Sequence, residues 1–450
     1  MTDPMPLPRR LTALLDHLGL ARAHFAAQMP GDLADLARDF PERIAGLVLC
    51  VPTRLDPAPF AKVAARLLLI SDEHGMSFGV TARAAERLAG ARREVLAGYD
   101  APGWADVVAD RGQEIDQILS EHLSSAGMEV AGTVRPSAAP AHEGQHAGIT
   151  YCIEGAGPAL ILLPFFLAPS QWDPVVASLA QRFTVVRLGG AHVGGVAALE
   201  DRAQAPTYRA MFRTLIDLLA PEPGARILDV GCGSGALDRL LAERIGVVPL
   251  RAGHAITAVD VNPFLLREAA VLAKAQGLDG AIRFQAGSAV ALPFAADSFD
   301  CAFSVTVLEE CDADTAIAEM TRVVRPGGRI GIVVRSIDLP QSWSFPVPEA
   351  IRARAETPPQ SVGRGGVADR SLYARMQNAG LTELVSFPTL VTLDRPGGPI
   401  WRYREDHVVS QLAPGELAAW QQARDVANAA GLLFQSHALH CAVATKPTRA

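Results

Sequence analysis

The sequence predicts an α/β protein of two domains, and three observations predict it. Apolar runs of strand length alternate with longer runs of helical period along most of the chain. At 450 residues the chain exceeds the usual size of one compact core. Residues 124–148, rich in Ser, Ala, Pro and Gly, interrupt the alternation. Alternating βα units imply parallel sheets covered by helices on both faces.

Composition narrows the class of function. With 49% hydrophobic and 20% charged residues, the chain has ample apolar material for large cores. A net charge of -7 offers no clustered basic footprint for nucleic acid or an anionic membrane, so a diffusible small molecule is the expected partner. The longest apolar run, Ala159 to Leu167, is broken by Pro164 and falls short of the roughly 20 residues that span a bilayer. Near the start, Arg9 and Arg10 precede an amphipathic stretch holding Asp16 and His17, which does not read as an export signal. Six scattered cysteines with no C-x-x-C pair read as reduced, buried thiols, and a cytoplasmic location is expected.

Along the chain, Arg9 to Leu123 carries short β-rich runs, Gly46 to Cys50 and Arg66 to Ile70, between helical patterns. Residues 124–148 read as a linker. The βα pattern resumes from Ile149 to Leu188, with strands at Ala159–Leu163 and Phe183–Leu188 and a helix from Trp172 to Gln181. A turn region from Gly189 to Ala205 precedes the second half.

The most specific signal is Ala225-Arg-Ile-Leu-Asp229-Val-Gly231-Cys-Gly233-Ser-Gly235, followed by the helical run Ala236 to Arg244. A strand feeding a glycine-rich turn that opens a helix lets backbone approach a ligand closely and aims a helix N-terminus at it. A second strand, Ala255 to Asp260, ends in an acid that can accept hydrogen bonds from both hydroxyls of a ribose. Its distance from the glycines is lengthened by an inserted-looking stretch, Val247 to Gly253. Further units follow in order: Ile282 to Ala289, Leu292-Pro293-Phe294, Asp297 to Glu310, and Met320 to Gly328 leading into the strand Arg329–Val334.

This order and spacing resembles the S-adenosylmethionine-dependent methyltransferases of the ubiquinone/menaquinone small-molecule type, and the resemblance implies a Rossmann-like seven-stranded sheet over residues 201–450. By that resemblance Gly231, Gly233 and Gly235 line the methionine and ribose portion, with Asp229 beneath the turn. Asp260, with Val261 beside it, holds the ribose, Ser288 and Ala289 touch the adenine, and Ser304 and Val305 contact the methionyl end. Tyr208 matches an aromatic that covers the cofactor carboxylate. Two departures stand out. Ser288 occupies a position usually held by Asp, and Glu309-Glu310-Cys311 replaces the usual His-rich ending of the fourth strand.

Methyl transfer is a displacement in which positioning supplies most of the acceleration, so neither a metal nor a nucleophilic side chain is expected. A base is needed only where the acceptor must lose a proton. Glu310 is the candidate by position, with His407 and Asp338 behind it, and the alternative for Glu310 is a solvated acid at a helix start. His437 and His440 lie in the final antiparallel strand and equally read as surface histidines. The helix from Leu412 to Trp420 resembles an insertion roofing an acceptor pocket, with Trp401, Tyr403 and Trp420 either lining it or belonging to the core.

The first half resembles an α/β-hydrolase in pieces. Ala27-Gln28-Met29-Pro30-Gly31 stands at the nucleophile elbow, with Met29 in place of the serine, and a thioether cannot be activated by a base. His74 takes the place of the triad acid and Asp100 that of the histidine, while Pro164-Phe165 replaces the His-Gly of the oxyanion loop. Segments resembling later strands come first and those resembling earlier strands second. The expectation is a circularly permuted, inert hydrolase-like domain, a parallel sheet lacking the triad, over residues 1–200, used for dimerisation or for shaping the acceptor pocket. For the whole chain the expectation is methyl transfer from S-adenosylmethionine to an O, N or C atom of a small molecule, with a second copy of the chain, in a homodimer, as a candidate partner. The alternative is a methyltransferase-fold protein with a non-methylating, cofactor-sensing or scaffold role.

Overall fold

The computed structural model describes residues 5–99, 107–125, 142–165, 169–246, 256–360, 362–387, 389–394, 396–409 and 411–448. The chain divides into two compact units, Met1–Ala197 and Ala198–Ala450. Asp100, the stretch Val247 to Gly253 and most of the expected linker lie outside the described residues.

The first unit holds β1 (Ala23–Ala27), β2 (Ile44–Cys50), β3 (Leu67–Ser71), β4 (Arg92–Val95), β5 (His142–His146), β6 (Ile149–Glu154), β7 (Ala159–Leu162) and β8 (Thr184–Gly189). They form one sheet in the order β4-β3-β2-β1-β7-β8-β6-β5. From β4 to β8 every pairing is parallel, whereas β6 runs antiparallel to β8 and β5 antiparallel to β6. Every residue of β1, β2, β3 and β7 is buried, as expected of parallel strands covered on both faces. Alternation sends Leu47 and Leu49 to one face and Val48 and Cys50 to the other. The first face packs α1 (Leu7–His17), α2 (Gly31–Asp39) and α3 (Met76–Arg87). The second packs α4 (Val107–Ser125) and α5 (Asp173–Leu179). One expectation is corrected here: the linker does not extend to Gly148, because His142–His146 pairs with β6 through a turn in which Ala147 and Gly148 both adopt positive φ.

The helix α6 (Gly194–Gln204) leads into the second unit, whose further helices are α7 (Pro206–Leu219), α8 (Ala236–Ile245), α9 (Pro263–Ala275), α10 (Ala313–Val323), α11 (Glu349–Glu356), α12 (Ser371–Asn378), α13 (Pro399–Val409) and α14 (Pro414–Ala429). Its strands are β9 (Ile227–Val230), β10 (Ile256–Asp260), β11 (Ile282–Ala286), β12 (Phe299–Val305), β13 (Val324–Arg335), β14 (Ser342–Trp343), β15 (Thr382–Ser386), β16 (Thr389–Leu393) and β17 (Gln435–Thr445). Among the described residues the sheet has nine strands rather than seven, in the order β11-β10-β9-β12-β13-β17-β14 with β15 and β16 also on β17. They fill seven positions. Leu439 of β17 pairs with both Arg335 and Thr389, and Ser436 with both Ser342 and Thr392, so β13 and β14 lie along one edge of β17 and β15 and β16 along the other.

The chain runs outward from β9 through β10 to β11 and then returns to β12 on the other side of β9. At this reversal the connections leaving β9 and β12 diverge, opening a crevice beyond the carboxyl ends of the strands, where ligands of open α/β sheets bind. Among the described residues no helix is long and apolar enough to cross a membrane.

Candidate functional site

The turn after β9 is shaped by its glycines. Gly231 has φ +85°, and a Cβ there would collide with the side chain of Val307, which arrives from the connection after β12. Gly235 has φ +69°, and a Cβ would lie 2.8 Å from Phe284 of β11. The backbone N–H groups of Gly231 and Cys232 both donate to the Val259 carbonyl of β10, at 2.7 and 3.0 Å. Asp260, the last residue of β10, completes the tie: its Oδ2 accepts from Gly233 N–H and its Oδ1 from Asn262 N–H, each at 2.9 Å. Burial raises the Asp260 carboxyl above its ordinary range, against the lowering effect of these N–H donors. Gly287 N–H donates to the Asp260 carbonyl, which brings Ser288 and Ala289 alongside. Val261, next to the carboxylate, is 70% exposed, an apolar side chain standing in solvent where a flat base could cover it.

The structure therefore gathers Gly231, Gly233, Gly235, Asp260, Val261, Ser288 and Ala289 around one turn. Asp229 lies beneath it, buried, in register with Ala258 of β10 and Phe303 of β12. Tyr208 on α7 is fully enclosed, its hydroxyl unpartnered, with Arg202 over its ring at 5.1 Å. Burial raises the phenol, the Arg202 guanidinium opposes the rise, and the carboxyls of Glu309 and Asp229 are close enough to add to it. Ser304 behaves otherwise: its hydroxyl donates to the Val230 carbonyl at 2.7 Å, tying β12 to β9. Val305 is buried in the core against Val333.

Three features went unread in the sequence. Thr306 follows β12 with φ +57°, an unusual conformation for a β-branched residue and a form of strain that collects at functional sites. Beyond it, Glu310 is exposed while Glu309 is buried. The Oε1 of Glu309 accepts from Arg335 N–H at 2.6 Å, its Oε2 has no partner, and burial pushes the carboxyl up to about 7. Asp238, in the first turn of α8, is sealed from solvent against Asp229, and both carboxyls are raised by burial. Beside it Glu200 of α6 accepts from Ser234 Oγ and from Arg239, each at 2.6 Å, fastening α6 to the glycine turn. Adjacent acids after a strand were the available signal for Glu309, and an acid among the small residues of a helix start was the signal for Asp238.

The remaining candidates fall elsewhere. His440 is buried, bonded to Asp338 at 2.7 Å and to the Tyr373 hydroxyl at 3.0 Å. His437 is buried on Gln435 at 3.2 Å, and burial, with Arg404 and Arg202, lowers it well below its usual range. Neither is a surface histidine. Trp401 and Trp420 are core residues whose indole N–H groups donate to Glu405, at 2.8 and 3.1 Å, while Tyr403 is 44% exposed. His407 is half-buried beside Gln411. In the first unit Met29 sits between β1 and α2, His74 is exposed, and Phe165 packs edge-on against Trp172 with ring centres 5.0 Å apart.

Residues 228–332 match the family described as methyltransferase domain. The chain is 33% identical over 138 residues to the nocamycin O-methyltransferase of Saccharothrix syringae, covering 30% of this chain and 47% of that one. It is 35% identical over 122 residues to the ubiquinone/menaquinone biosynthesis C-methyltransferase UbiE of Legionella pneumophila, covering 27% and 47%. The chain thus spans about half the length of the curated relatives it matches. A solved structure of geranyl diphosphate methyltransferase in complex with S-adenosylmethionine is 20% identical, with a TM-score of 0.31, covering 57% of this chain and 91% of that one. The second unit carries a methyltransferase domain, and the cofactor of such a domain is S-adenosylmethionine.

Proposed function

We propose that the protein transfers a methyl group from S-adenosylmethionine to an O, N or C atom of a small-molecule acceptor in the cytoplasm, with the first unit structural or pocket-forming. The observation that carries this reading is the Asp260 carboxylate at the sheet reversal, holding the glycine turn through Gly233 while its remaining lone pairs stay available to a ribose. The surrounding residues fit the cofactor: the Tyr208 hydroxyl and Glu309 Oε2 are buried without partners, and Val261 stands exposed beside the carboxylate. When bound, the cofactor supplies an electrophilic methyl on a sulfonium. Asp260 would hold the sugar, the turn Gly231–Gly235 and Tyr208 the amino-acid end, and Ser288 with Ala289 the adenine. Glu309, raised to about 7 and anchored through Oε1, can take a proton on Oε2 near neutral pH, which makes it a better-placed base than Glu310. Similarity to both an O- and a C-methyltransferase leaves the acceptor atom open among the three.

The first unit is read as a circularly permuted hydrolase-like domain. What supports this is that one sheet crosses residues 126–141: joined after α6, the strands β1 to β4 would continue the parallel sheet outward from β7. With Met29 at the elbow and Phe165 packed on Trp172, no serine chemistry is expected there. Its proposed use is to shape the acceptor site or to pair two copies of the chain.

Calorimetry with S-adenosylhomocysteine, followed by mass spectrometry of a panel of phenols, amines and carbon acids, tests the reading. Binding and a mass gain of one methyl on any acceptor are expected. Absence of binding by folded protein refutes it, and binding without turnover across the panel favours a cofactor-sensing or scaffold role.

A further inference from the structure

Among the described residues, the acids under the glycine turn outnumber the cations available to them. Asp229 at the end of β9 and Asp238 in the first turn of α8 are both sealed from solvent. Among the described residues, neither oxygen of Asp238 has a donor beyond a backbone N–H of its own residue in poor geometry, and what lies against it is the Asp229 carboxyl, an acceptor like itself. Two carboxyls in that position attract only when one carries a proton, which then bridges them, and two full charges side by side away from water are strongly disfavoured. From β10 Asp260 adds a third carboxyl, and from the turn Cys232 adds a thiol raised by burial and by these acids. Tyr208 on α7, itself near Glu309, contributes a phenol. The nearby cation, Arg239 on α8, lowers Asp238 through its charge but against the larger effect of burial, and its hydrogen bonds go elsewhere: its guanidinium donates to Glu200 at 2.6 Å and to the Ser234 carbonyl at 2.7 Å.

We propose that Asp229 and Asp238 share one proton in the unliganded protein and release it to solvent when the cationic cofactor binds, the ionised pair then serving as its counter-anion. The inference rests on the methyltransferase reading and adds Asp238 as a residue that sets cofactor affinity. S-adenosylmethionine and S-adenosylhomocysteine both carry an α-ammonium beside an α-carboxylate, and the former a sulfonium as well, so the whole-ligand charge is +1 for the former and zero for the latter; the group both share that can offset the charge left by the departing proton is the ammonium, set next to the pair. No covalent bond changes; the proton leaves one carboxyl oxygen for the buffer. A ligand whose binding expels a proton binds more tightly as pH rises through the titration of the pair, by up to about tenfold per pH unit.

The experiment is titration calorimetry of the full chain with S-adenosylhomocysteine near pH 6.5, in phosphate and in Tris, buffers whose ionisation heats differ widely. Expected is a heat that depends on the buffer, giving release of up to one proton, and an affinity that rises with pH. Asp238→Asn keeps the size, supplies a donor to Asp229, and should remove both the release and the pH dependence while binding persists. Glu309 also titrates near neutrality, so Glu309→Gln is run beside it and should retain the release. Identical wild-type heats in the two buffers would overturn the proposal, as would full release by Asp238→Asn or loss of release in Glu309→Gln. Should Asp238→Asn not fold, the wild-type and Glu309→Gln titrations decide alone. No heat in either buffer, and no displacement of a fluorescent cofactor analogue, would instead bring down the cofactor reading and this inference with it.

Discussion

Asp260→Ala tests the site at its centre. The carboxylate has two tasks: it accepts from the N–H groups of Gly233 and Asn262, and it offers its free lone pairs to a ligand's hydroxyls. The backbone bonds lie in a half-buried position, where water can replace the lost acceptor, and Asn262 still caps α9 through its own side chain, accepting from Phe264 and Leu265 N–H at 3.0 and 3.1 Å. Stability should therefore change little, and the loss falls on binding. Hydrogen bonds to a charged acceptor contribute about 1.5–3 kcal/mol, so S-adenosylhomocysteine should bind roughly 10- to 150-fold more weakly. Calorimetry with a thermal melt on the same samples measures both quantities, and Asp260→Asn, which keeps one oxygen but loses the charge, should fall between. An unchanged Kd in an Ala variant that melts like wild type would mean that this carboxylate does not hold the sugar.

Gly231→Ala forces a side chain into positive φ and against Val307, so it should cost about 1–3 kcal/mol in denaturant unfolding and abolish detectable cofactor binding; normal affinity would place the ligand away from this turn. Glu309→Gln should lower kcat roughly 10²- to 10⁴-fold on an acceptor that must lose a proton, and should lack the rising limb near pH 7 expected of the wild type. Because the folded-state pKa of Glu309 is raised, its protonated form stabilises the fold below the ordinary Glu range, and that stability is lost as pH rises through about 7; melts should show Glu309→Gln gaining on wild type between about pH 5 and pH 8. A gap that does not widen would rule out the buried acid as drawn. Glu405→Ala strands the buried indole donors of Trp401 and Trp420 and leaves Arg424 without its 3.2 Å partner, so urea unfolding should show a loss of about 2–5 kcal/mol with S-adenosylhomocysteine affinity retained; reduced affinity at full stability would move the tryptophans into the binding site.

The parts of the site legible in the sequence are those fixed by backbone geometry. Glycines spaced two apart after an apolar strand announce a turn with positive φ, and an acid closing the next parallel strand must lie beside it, because β9 and β10 pair in register. Side-chain direction beyond the strands is not legible. Alternation carries through Val305, but Thr306 breaks it with φ +57°, so nothing in the sequence tells which of Glu309 and Glu310 turns inward. Ser304 illustrates the converse: it occupies a site position by resemblance, yet its hydroxyl bonds a neighbouring strand. In the fold, β5 is not legible because His-Glu-Gly-Gln-His has no apolar face; it is an edge strand, formed by its pairing with β6 rather than by propensity.

The same edge strand bears on where the domains divide. Residues 124–148 read as an interruption, and on composition alone a boundary there is natural, since chains break between domains where polar and small residues collect. Pairing across it decides otherwise. His24, Phe25 and Ala26 of β1 pair with Leu160, Ile161 and Leu162 of β7, so the centre of the first sheet is a contact between segments on opposite sides of the interruption. Every residue of β1 is buried, and without β7 the strand would be a bare apolar edge, which soluble proteins avoid. Neither half is therefore a folding unit. Long-range pairings of this kind close a large loop before they stabilise anything, so the sheet can form only after both halves have been synthesised, and folding should be slow for its size. A change of composition marks where a chain is unconstrained locally, whereas a domain boundary is where no strand ladder crosses, and in this chain the two fall at different places.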